Sequence, residues 1–300
     1  MKKLAYIFGA FMFLIPAIAG AQALPFTAVD YDAKSLSKAG ADLVQSTPAA
    51  IPYSDAKLDA AVGYTMWQPS AAGANIINLD AAYKMGDKFG LSLDFMYGMN
   101  PKYTITNSGG TASGQFAPSD IHAELGFGWK FLPFLSLGAE VGYATSSVAK
   151  DYSYGAVTAD VFFMAKFGAL KAAAGVSNLG TAVTSKSGAK YSFPSAASVG
   201  VGYDMSFAEV HGLGVTFDAD YYFAYGFAAA LAAEYSYADL AFVRAGFNYG
   251  GEAVLPTFAS LGAGVKFAGL ELNLAYLLGF SSPFSTAAKN TLSIGLGYSF

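Results

Sequence analysis

The stretch Thr291-Leu292-Ser293-Ile294-Gly295-Leu296-Gly297-Tyr298-Ser299-Phe300 decides the fold of this chain. Its large apolar side chains recur at every second position, and serines and glycines stand between them. A period of two is the signature of a β-strand with one apolar face and one small or polar face. The segment therefore predicts a strand that buries a single side against an apolar environment.

The same alternation continues upstream in segments of about ten residues that are separated by turn residues. It predicts fourteen strands at 58–67, 75–84, 89–99, 120–131, 134–144, 156–167, 169–177, 195–204, 214–224, 227–237, 239–249, 257–267, 269–278 and 290–300. Short joins alternate with longer polar stretches, which we expect at 100–119, 145–155, 178–194 and 279–289. Two joins fit this rhythm less well, because 205–213 is long for a turn and 225–226 is short for a loop.

Composition leaves two architectures open for these strands. Hydrophobic residues make up 54% of the chain, yet no run after residue 21 approaches the roughly 18 apolar residues of a membrane-spanning helix. The apolar surface could form the core of a soluble β-sandwich or the outer wall of a closed barrel in lipid. The content of 34 glycines, with 16% aromatic and 13% charged residues, favours an all-β, transmembrane antiparallel barrel. Cysteine is absent, which excludes disulfides and thiolate chemistry.

The first 21 residues have the pattern of a secretory signal peptide. Lys2 and Lys3 precede an apolar run from Leu4 to Ala19, and Ala19-Gly20-Ala21 forms a small-residue cleavage site. Removal of these residues changes the formal net charge from −4 to −6 because the two lysines are lost. This acidic balance argues against a nucleic-acid partner, since nucleic acids bind basic surfaces. We predict three parts: 1–21 signal peptide, 22–57 N-terminal segment, and 58–300 barrel.

Charged residues provide a second criterion for the barrel. A Lys or Arg that faces lipid at mid-bilayer costs roughly 2–4 kcal/mol, whereas one that faces the lumen costs little. In the predicted strands, the charges share the phase opposite to the large apolar side chains, and only Asp239 departs from it. The lumen-facing candidates are Asp80, Asp94, Glu124, Glu140, Asp160, Asp218, Asp220, Glu234, Arg244 and Lys266. Acids predominate, so an open lumen would favour cations, and we expect neighbours such as Asp80 and Lys84 to pair.

Enzyme chemistry is not indicated. Of the two histidines, His122 lies in the inward phase between Asp120 and Glu124, and His211 falls in an expected periplasmic turn. No serine at a nucleophile's spacing accompanies His122, so a polar lumen histidine is the simpler interpretation. We predict no catalytic residues, no metal site and no cofactor.

The N-terminal segment carries the first motifs that resemble a known family. DAKSLSKAGA (32–41) and STPAA (46–50) are similar to the opening of PorV/PorQ-type outer-membrane proteins of Bacteroidota, within the wider FadL-like superfamily. LKAAAGVSNLG (170–180), AAEYSYADLAFVRAGFNYG (232–250), VKFAGLELNLAYLLG (265–279) and KNTLSIGLGYSF (289–300) extend the resemblance over most of the chain. It implies fourteen strands, and we expect the segment either to plug the lumen or to form a periplasmic tail.

The chain's end also resembles a known signal. Leu296, Tyr298 and Phe300 look like the C-terminal signal that the barrel assembly machinery recognises in outer-membrane clients. The sequence therefore predicts an outer-membrane location in a Gram-negative bacterium, with lipid and this machinery as partners.

Three functions remain open at this stage. The PorV/PorQ resemblance implies a role in secretion or surface assembly of exported cargo proteins, as in type IX secretion. The FadL-like superfamily implies a transporter or channel for small hydrophobic or polar solutes. The third hypothesis is a structural barrel without a transported substrate.

Overall fold

The computed structural model describes residues 24–68, 73–150, 152–184, 190–224, 226–250, 257–280 and 289–300. The predicted signal peptide lies outside these residues. Among the residues described, no helix is both long and apolar enough to cross a membrane. The residues described form eighteen strands, two short α-helices and two 3₁₀ helices instead.

Fourteen of the strands form the wall of a closed antiparallel barrel, which confirms the predicted fold. They are β1 (Leu58–Trp67), β2 (Ala74–Met85), β3 (Phe89–Met99), β6 (Ser119–Leu132), β7 (Leu135–Ala149), β8 (Tyr152–Phe167), β9 (Leu170–Gly180), β12 (Ala196–Phe207), β13 (His211–Tyr222), β14 (Gly226–Tyr237), β15 (Ala241–Tyr249), β16 (Phe258–Phe267), β17 (Leu270–Gly279) and β18 (Thr291–Ser299). The barrel closes where β1 pairs with β18, from Asp59 opposite Ser299 to Met66 opposite Leu292.

The remaining four strands form two small hairpins in long connections. One consists of β4 (Tyr103–Thr106) and β5 (Ala112–Phe116), and the other of β10 (Val183–Thr184) and β11 (Lys190–Tyr191). Both lie at the barrel end where the connections are long. By the usual asymmetry of outer-membrane barrels, we refer to this as the extracellular end and to the short-turn end as the periplasmic end.

Three details of the sequence prediction were wrong. The expected polar stretch at 145–155 is mostly strand, because β7 and β8 continue outward and pair to Ala149 and Tyr152. The join at 205–213 is short after all, since β12 extends to Phe207 and pairs it with His211 at the start of β13. Asp239 belongs to a turn with positive φ rather than to a strand, which explains its departure from the inward phase.

The short turns use backbone conformations that match the twist of the strands. Ala268 and Gly269 join β16 to β17, and both have positive φ, at 52° and 83°. Positive φ at both central residues is the requirement of a type I′ turn, which suits the right-handed twist of paired strands.

The distribution of side chains is that of a barrel wall in lipid. Large apolar residues on every wall strand are exposed on the outer face, among them Leu125, Val243 and Phe267. Inward positions carry Gly, Ala, Ser, Thr and charged groups instead. An apolar belt of this extent would not be stable in water, so its natural environment is hydrocarbon.

Residues 24–57, here called the N-terminal segment, run lengthwise through the lumen. Near the extracellular end Leu24 packs with Val183 and Phe193, which belong to the connection between β9 and β12. The segment continues through 3₁₀ helix η1 (Pro25–Ala28), α1 (Ala33–Ser37), α2 (Leu43–Ser46) and 3₁₀ helix η2 (Pro48–Tyr53). It leaves at the periplasmic end and continues into β1.

The segment contacts the wall on all sides. Helix α1 lies against β1 and β15 to β18, α2 lies against β9 and β12, and η2 lies against β2, β3 and β6 to β8. Small inward residues permit this close approach. A Cβ on Gly138 would lie 2.5 Å from the backbone nitrogen of Ala49, and one on Gly246 would overlap the backbone of Lys38.

Candidate functional site

Hydroxyl groups of the wall hold the N-terminal segment by its backbone. Ser136 Oγ donates to the carbonyl oxygen of Ala49 at 2.6 Å, and Ser260 Oγ donates to that of Ser37 at 2.8 Å. Thr65 donates to the carbonyl oxygen of Tyr31 at 3.3 Å. These hydrogen bonds, each worth about 0.5–1.5 kcal/mol net, add to the apolar contacts that Leu36 and Val44 make with the wall.

Two cavities inside the described part of the barrel are lined in part by the segment. The upper cavity has a volume of about 280 Å³ and lies towards the extracellular end, where Asn78, Asp218 and Phe258 belong to its wall. The lower cavity, of about 260 Å³, lies towards the periplasmic end, where Asp59 and Lys84 line it. The N-terminal segment lines both cavities, with Asp30 and Leu43 at the upper one and Lys34 and Ile51 at the lower one.

Seven of the ten predicted lumen-facing residues line the upper cavity. They are Asp80, Asp94, Glu124, Glu140, Asp160, Asp218 and Asp220. The alternation of strand residues was sufficient to find them, because it assigns each side chain to one face of the wall.

The other three predicted residues lie elsewhere in the lumen. Arg244 is only 1% exposed, and its Nε donates to Glu234 while its Nη1 donates to Asn273 at 2.6 Å. Glu271 lies 3.4 Å from Nη2 of the same arginine. Lys266 lines neither of these two cavities. The Arg244 cluster is thus a partnered polar core rather than a group open to a solute.

The expectation that Asp80 and Lys84 pair was wrong. Asp80 accepts a hydrogen bond from Asn78 Nδ2 at 2.5 Å, whereas Lys84 Nζ donates to the carbonyl oxygen of Ser54 at 2.6 Å. The N-terminal segment provides the partner that the strand pattern could not reveal.

Two acids of the segment also face the upper cavity and were missed by sequence reasoning. Asp30 and Asp42 project from the segment into this space. Removal from bulk water, together with the negative charges of Asp42, Asp80 and Asp32, raises the pKa of the Asp30 carboxyl well above its usual range. Burial opposes the charge of Lys34, but the carboxylates of Glu271 and Glu234 outweigh it and raise the pKa of that amine.

Asp160 stabilises an irregularity in the wall. The register between β8 and β9 shifts beside it, from Ala159 opposite Leu179 to Val161 opposite Val176. Asn178, with φ of 55°, lies in this bulge and donates its backbone N–H to Asp160 Oδ1 at 2.7 Å. The Asn178 side chain also donates to the carbonyl oxygen of Thr27 at 3.1 Å, which links the bulge to the segment.

The two histidines occupy different environments. His122 Nε2 lies 3.2 Å from Glu124 Oε1 inside the lumen, as the inward phase predicted. His211 is not in a turn but begins β13, where its ring stacks on Phe207 at 5.3 Å and Nδ1 lies 2.6 Å from the Tyr235 hydroxyl. Within the described part of the chain, no group of three or more His, Cys, Asp or Glu residues could hold a metal ion.

No family model matches the sequence, and no curated protein sequence matches it. Solved structures do match its three-dimensional form. The toluene transporter TbuX of Ralstonia pickettii superimposes with a TM-score of 0.61 at 9% identity, covering 91% of this chain and 99% of that one. The P. putida toluene transporter TodX gives 0.60 at 12% identity, covering 90% and 98%. A FadL homologue from Pseudomonas aeruginosa gives 0.53 at 13%, covering 94% and 100%.

The chain has a FadL-type barrel fold. At these identities the similarity concerns the fold and does not extend to substrates. Membership of the FadL-like superfamily and the closer resemblance to PorV/PorQ-type proteins both stay predictions.

Proposed function

We propose that this protein is an outer-membrane channel for small polar solutes, and that displacement of the N-terminal segment opens it. The observation that carries the proposal is that this segment lines both cavities, one towards each end of the barrel. A shift of the segment would join them into one path between the two barrel ends.

The attachment of the segment is compatible with such a shift. Wall hydroxyls bond to its carbonyl oxygens, and α1 and α2 have only five and four residues. Bonds of this kind can exchange for bonds to water at modest cost.

The cavities favour a small solute over a protein. Volumes of about 280 and 260 Å³ lie just below the roughly 300–1,000 Å³ range of small-molecule pockets. The TbuX and TodX proteins are named as toluene transporters, which supports transport as the class of function. A cavity lined by carboxylates disfavours an apolar hydrocarbon, so we assign polar solutes instead.

The secretion role implied by the PorV/PorQ resemblance stays a separate hypothesis. It predicts that exported proteins bind the extracellular connections, and it does not require the two cavities to join. A structural barrel without a substrate would likewise leave the cavities unused.

A reversible disulfide between the N-terminal segment and the wall tests the channel directly. A Cβ on Gly295 would lie 3.2 Å from the Cβ of Ala33, close to the Cβ separation of about 3.5–4.5 Å found in disulfides. The double variant Ala33→Cys/Gly295→Cys therefore ties α1 to β18 when oxidised. The chain has no other cysteine, so no competing disulfide can form.

The measurement is entry of radiolabelled erythritol, a neutral polar solute, into proteoliposomes. We expect entry through the reduced double variant and through both single variants, and loss of entry on oxidation of the double variant alone. Equal entry in the oxidised and reduced states would contradict a moving segment. Absence of entry through wild type, with heat-modifiable mobility on gels showing a folded barrel, would contradict the channel itself.

A further inference from the structure

Charges inside the barrel are sorted by height along the strands. On β2, Asp80 lines the upper cavity and Lys84 the lower one. Strand β8 repeats the arrangement with Asp160 and Lys166, although it lies on another side of the barrel. Two wall strands on different sides of the barrel therefore change from acid to lysine on passing from the extracellular to the periplasmic end.

The two cavities consequently differ in the ionisable groups that line them, which are acidic in the upper cavity and mostly basic in the lower one. Nine carboxyl side chains line the upper cavity, and among the residues described no Lys or Arg side chain joins them. The lower cavity is lined by Lys34, Lys84, Lys166 and Lys171, with Asp59 as the single described acid. Clefts lined by one sign of charge within low-dielectric walls concentrate the electrostatic potential.

We propose that the two cavities act in series as a charge filter that selects small zwitterions. The proposal rests on the channel function above and names its substrate class. A monovalent cation gains energy in the upper cavity but is repelled in the lower one, and an anion meets the reverse. A zwitterion has no net charge and can turn its cationic group towards the acids in the upper cavity and its anionic group towards the lysines in the lower one, so neither cavity repels it.

A buried acceptor in the upper cavity supports a cationic group on the solute. Asp218 is 3% exposed and belongs to the cavity wall. Its Oδ2 accepts from the backbone of Leu43 at 2.8 Å, but Oδ1 has no hydrogen-bond partner among the described residues. A buried carboxylate oxygen without a donor is costly, and an ammonium group entering beside the segment would supply one.

Aromatic rings beside the acids add a second preference for organic cations. Tyr31 and Trp67 line the upper cavity and pack edge to face, with ring centroids 5.5 Å apart. Aromatic faces attract ammonium groups through their negative electrostatic potential. Carboxylates and aromatic rings together suit a substituted ammonium better than a hydrated metal ion.

Three solutes of similar size and permanent charge test the filter: choline as the cation, isethionate as the anion, and glycine betaine as the zwitterion. Radiolabelled uptake into proteoliposomes containing the full wild-type chain is measured at about 10 mM salt, where the Debye length is about 30 Å. We expect betaine to enter about ten times faster than either ion, which corresponds to about 1.4 kcal/mol of discrimination. At about 1 M salt, where the Debye length falls to about 3 Å, the difference should largely disappear.

Charge-neutral variants separate the two cavities. Lys34→Gln/Lys166→Gln should raise choline uptake several-fold and leave isethionate uptake no faster. Asp94→Asn/Glu140→Gln should raise isethionate uptake several-fold and leave choline uptake no faster. Each variant is accepted only if its heat-modifiable gel mobility matches wild type, and Lys84→Gln replaces either lysine whose variant fails to fold.

The outcomes distinguish the filter from the channel. Uptake of betaine no faster than that of choline or isethionate would overturn the filter, as would variants that change both ions alike. If erythritol enters but none of the three charged probes does, the channel stands and the filter is wrong. If erythritol also fails to enter, the proposed function is wrong.

Discussion

The hydroxyl of Thr216 donates a hydrogen bond of 2.6 Å to the carbonyl oxygen of Ala41, and so connects the barrel wall to the turn between α1 and α2. Both groups are buried, since Thr216 is 4% exposed and Ala41 is fully buried. Loss of the donor would leave the carbonyl oxygen without this bond inside the barrel.

The first prediction concerns this bond. Thr216→Val keeps the side-chain shape but removes the donor, which should weaken docking of the N-terminal segment by about 1–3 kcal/mol. The readout is maleimide labelling of Val44→Cys, a segment position that is 1% exposed in the docked state. Thr158→Val is the matched control, because Thr158 bonds to Glu124 within the wall. Equal labelling of both variants would contradict a role for Thr216 in docking.

The second prediction concerns the close contact between Gly246 of the wall and the backbone that follows α1. Gly246→Ala should displace the segment, because the added Cβ would overlap the backbone of Lys38. Gly297→Ala should not, since its Cβ would meet its nearest neighbour, the carbonyl oxygen of Ala60, at 3.5 Å. Proteolysis of the segment in detergent-solubilised barrels should accelerate for the first variant alone. Similar proteolysis rates for the two variants would show that the wall accommodates the added Cβ at Gly246 without displacing the segment.

The third prediction concerns Arg244 and its acidic partners. Arg244→Met leaves the carboxylates of Glu234 and Glu271 without their buried cation, and should lower the free energy of unfolding by about 3–5 kcal/mol. Arg244→Met/Glu234→Gln should recover part of that loss because one uncompensated charge is removed. Urea unfolding followed by tryptophan fluorescence measures both. A double variant less stable than the single one would contradict an electrostatic origin.

The fourth prediction concerns pH. The pKa of Asp30 is raised when the segment is docked, so docking favours the protonated carboxyl. Its contribution is fully present below the ordinary Asp pKa of about 3.9 and is lost as pH rises through the docked value. A nitroxide on Ser46→Cys should therefore become more mobile as pH rises, and Asp30→Asn should reduce this dependence. Asp55→Asn, at an exposed position nearer β1, should leave it unchanged.

The fifth prediction concerns the C-terminal signal. Phe300→Ala should slow assembly into the outer membrane, because the predicted recognition by the assembly machinery needs the terminal aromatic ring. Phe267→Ala removes another outward ring, at the periplasmic end of β16, and is the control. Pulse-chase measurement of heat-modifiable barrel tests both variants. Equal delays would indicate loss of apolar wall area rather than loss of a signal.

Alternation along the strands was enough to predict the wall and the seven wall acids of the upper cavity. The alternation within each strand indicates which side chains face the lumen and which face lipid. Residues such as Asp94 and Glu140 could therefore be assigned to the lumen without knowledge of the neighbouring strands. The sorting by height was also present in the sequence. Asp80 and Lys84 on β2, like Asp160 and Lys166 on β8, keep the same order once the direction of each strand is considered.

The N-terminal segment could not be predicted in the same way. Its helices are too short to show a period, so nothing in the sequence indicated that Asp30 would face the acids of the wall. The partners of Lys84 and Thr216 are backbone carbonyl oxygens of this segment. Backbone groups carry no sequence signal, and such contacts appear only when the chain is folded.

The lengthwise course of the segment has a consequence for the order of folding. The wall is sealed by its first and last strands, β1 and β18, and the segment precedes β1 directly. If the wall closed first, residues 24–57 would have to thread into a finished tube from its periplasmic end. If the segment lies in place before β1 pairs with β18, the remaining strands form around it, and the pairing of β1 with β18 then encloses it. The N-terminal segment would then serve as a template around which the wall forms, in addition to its proposed role in closing the channel.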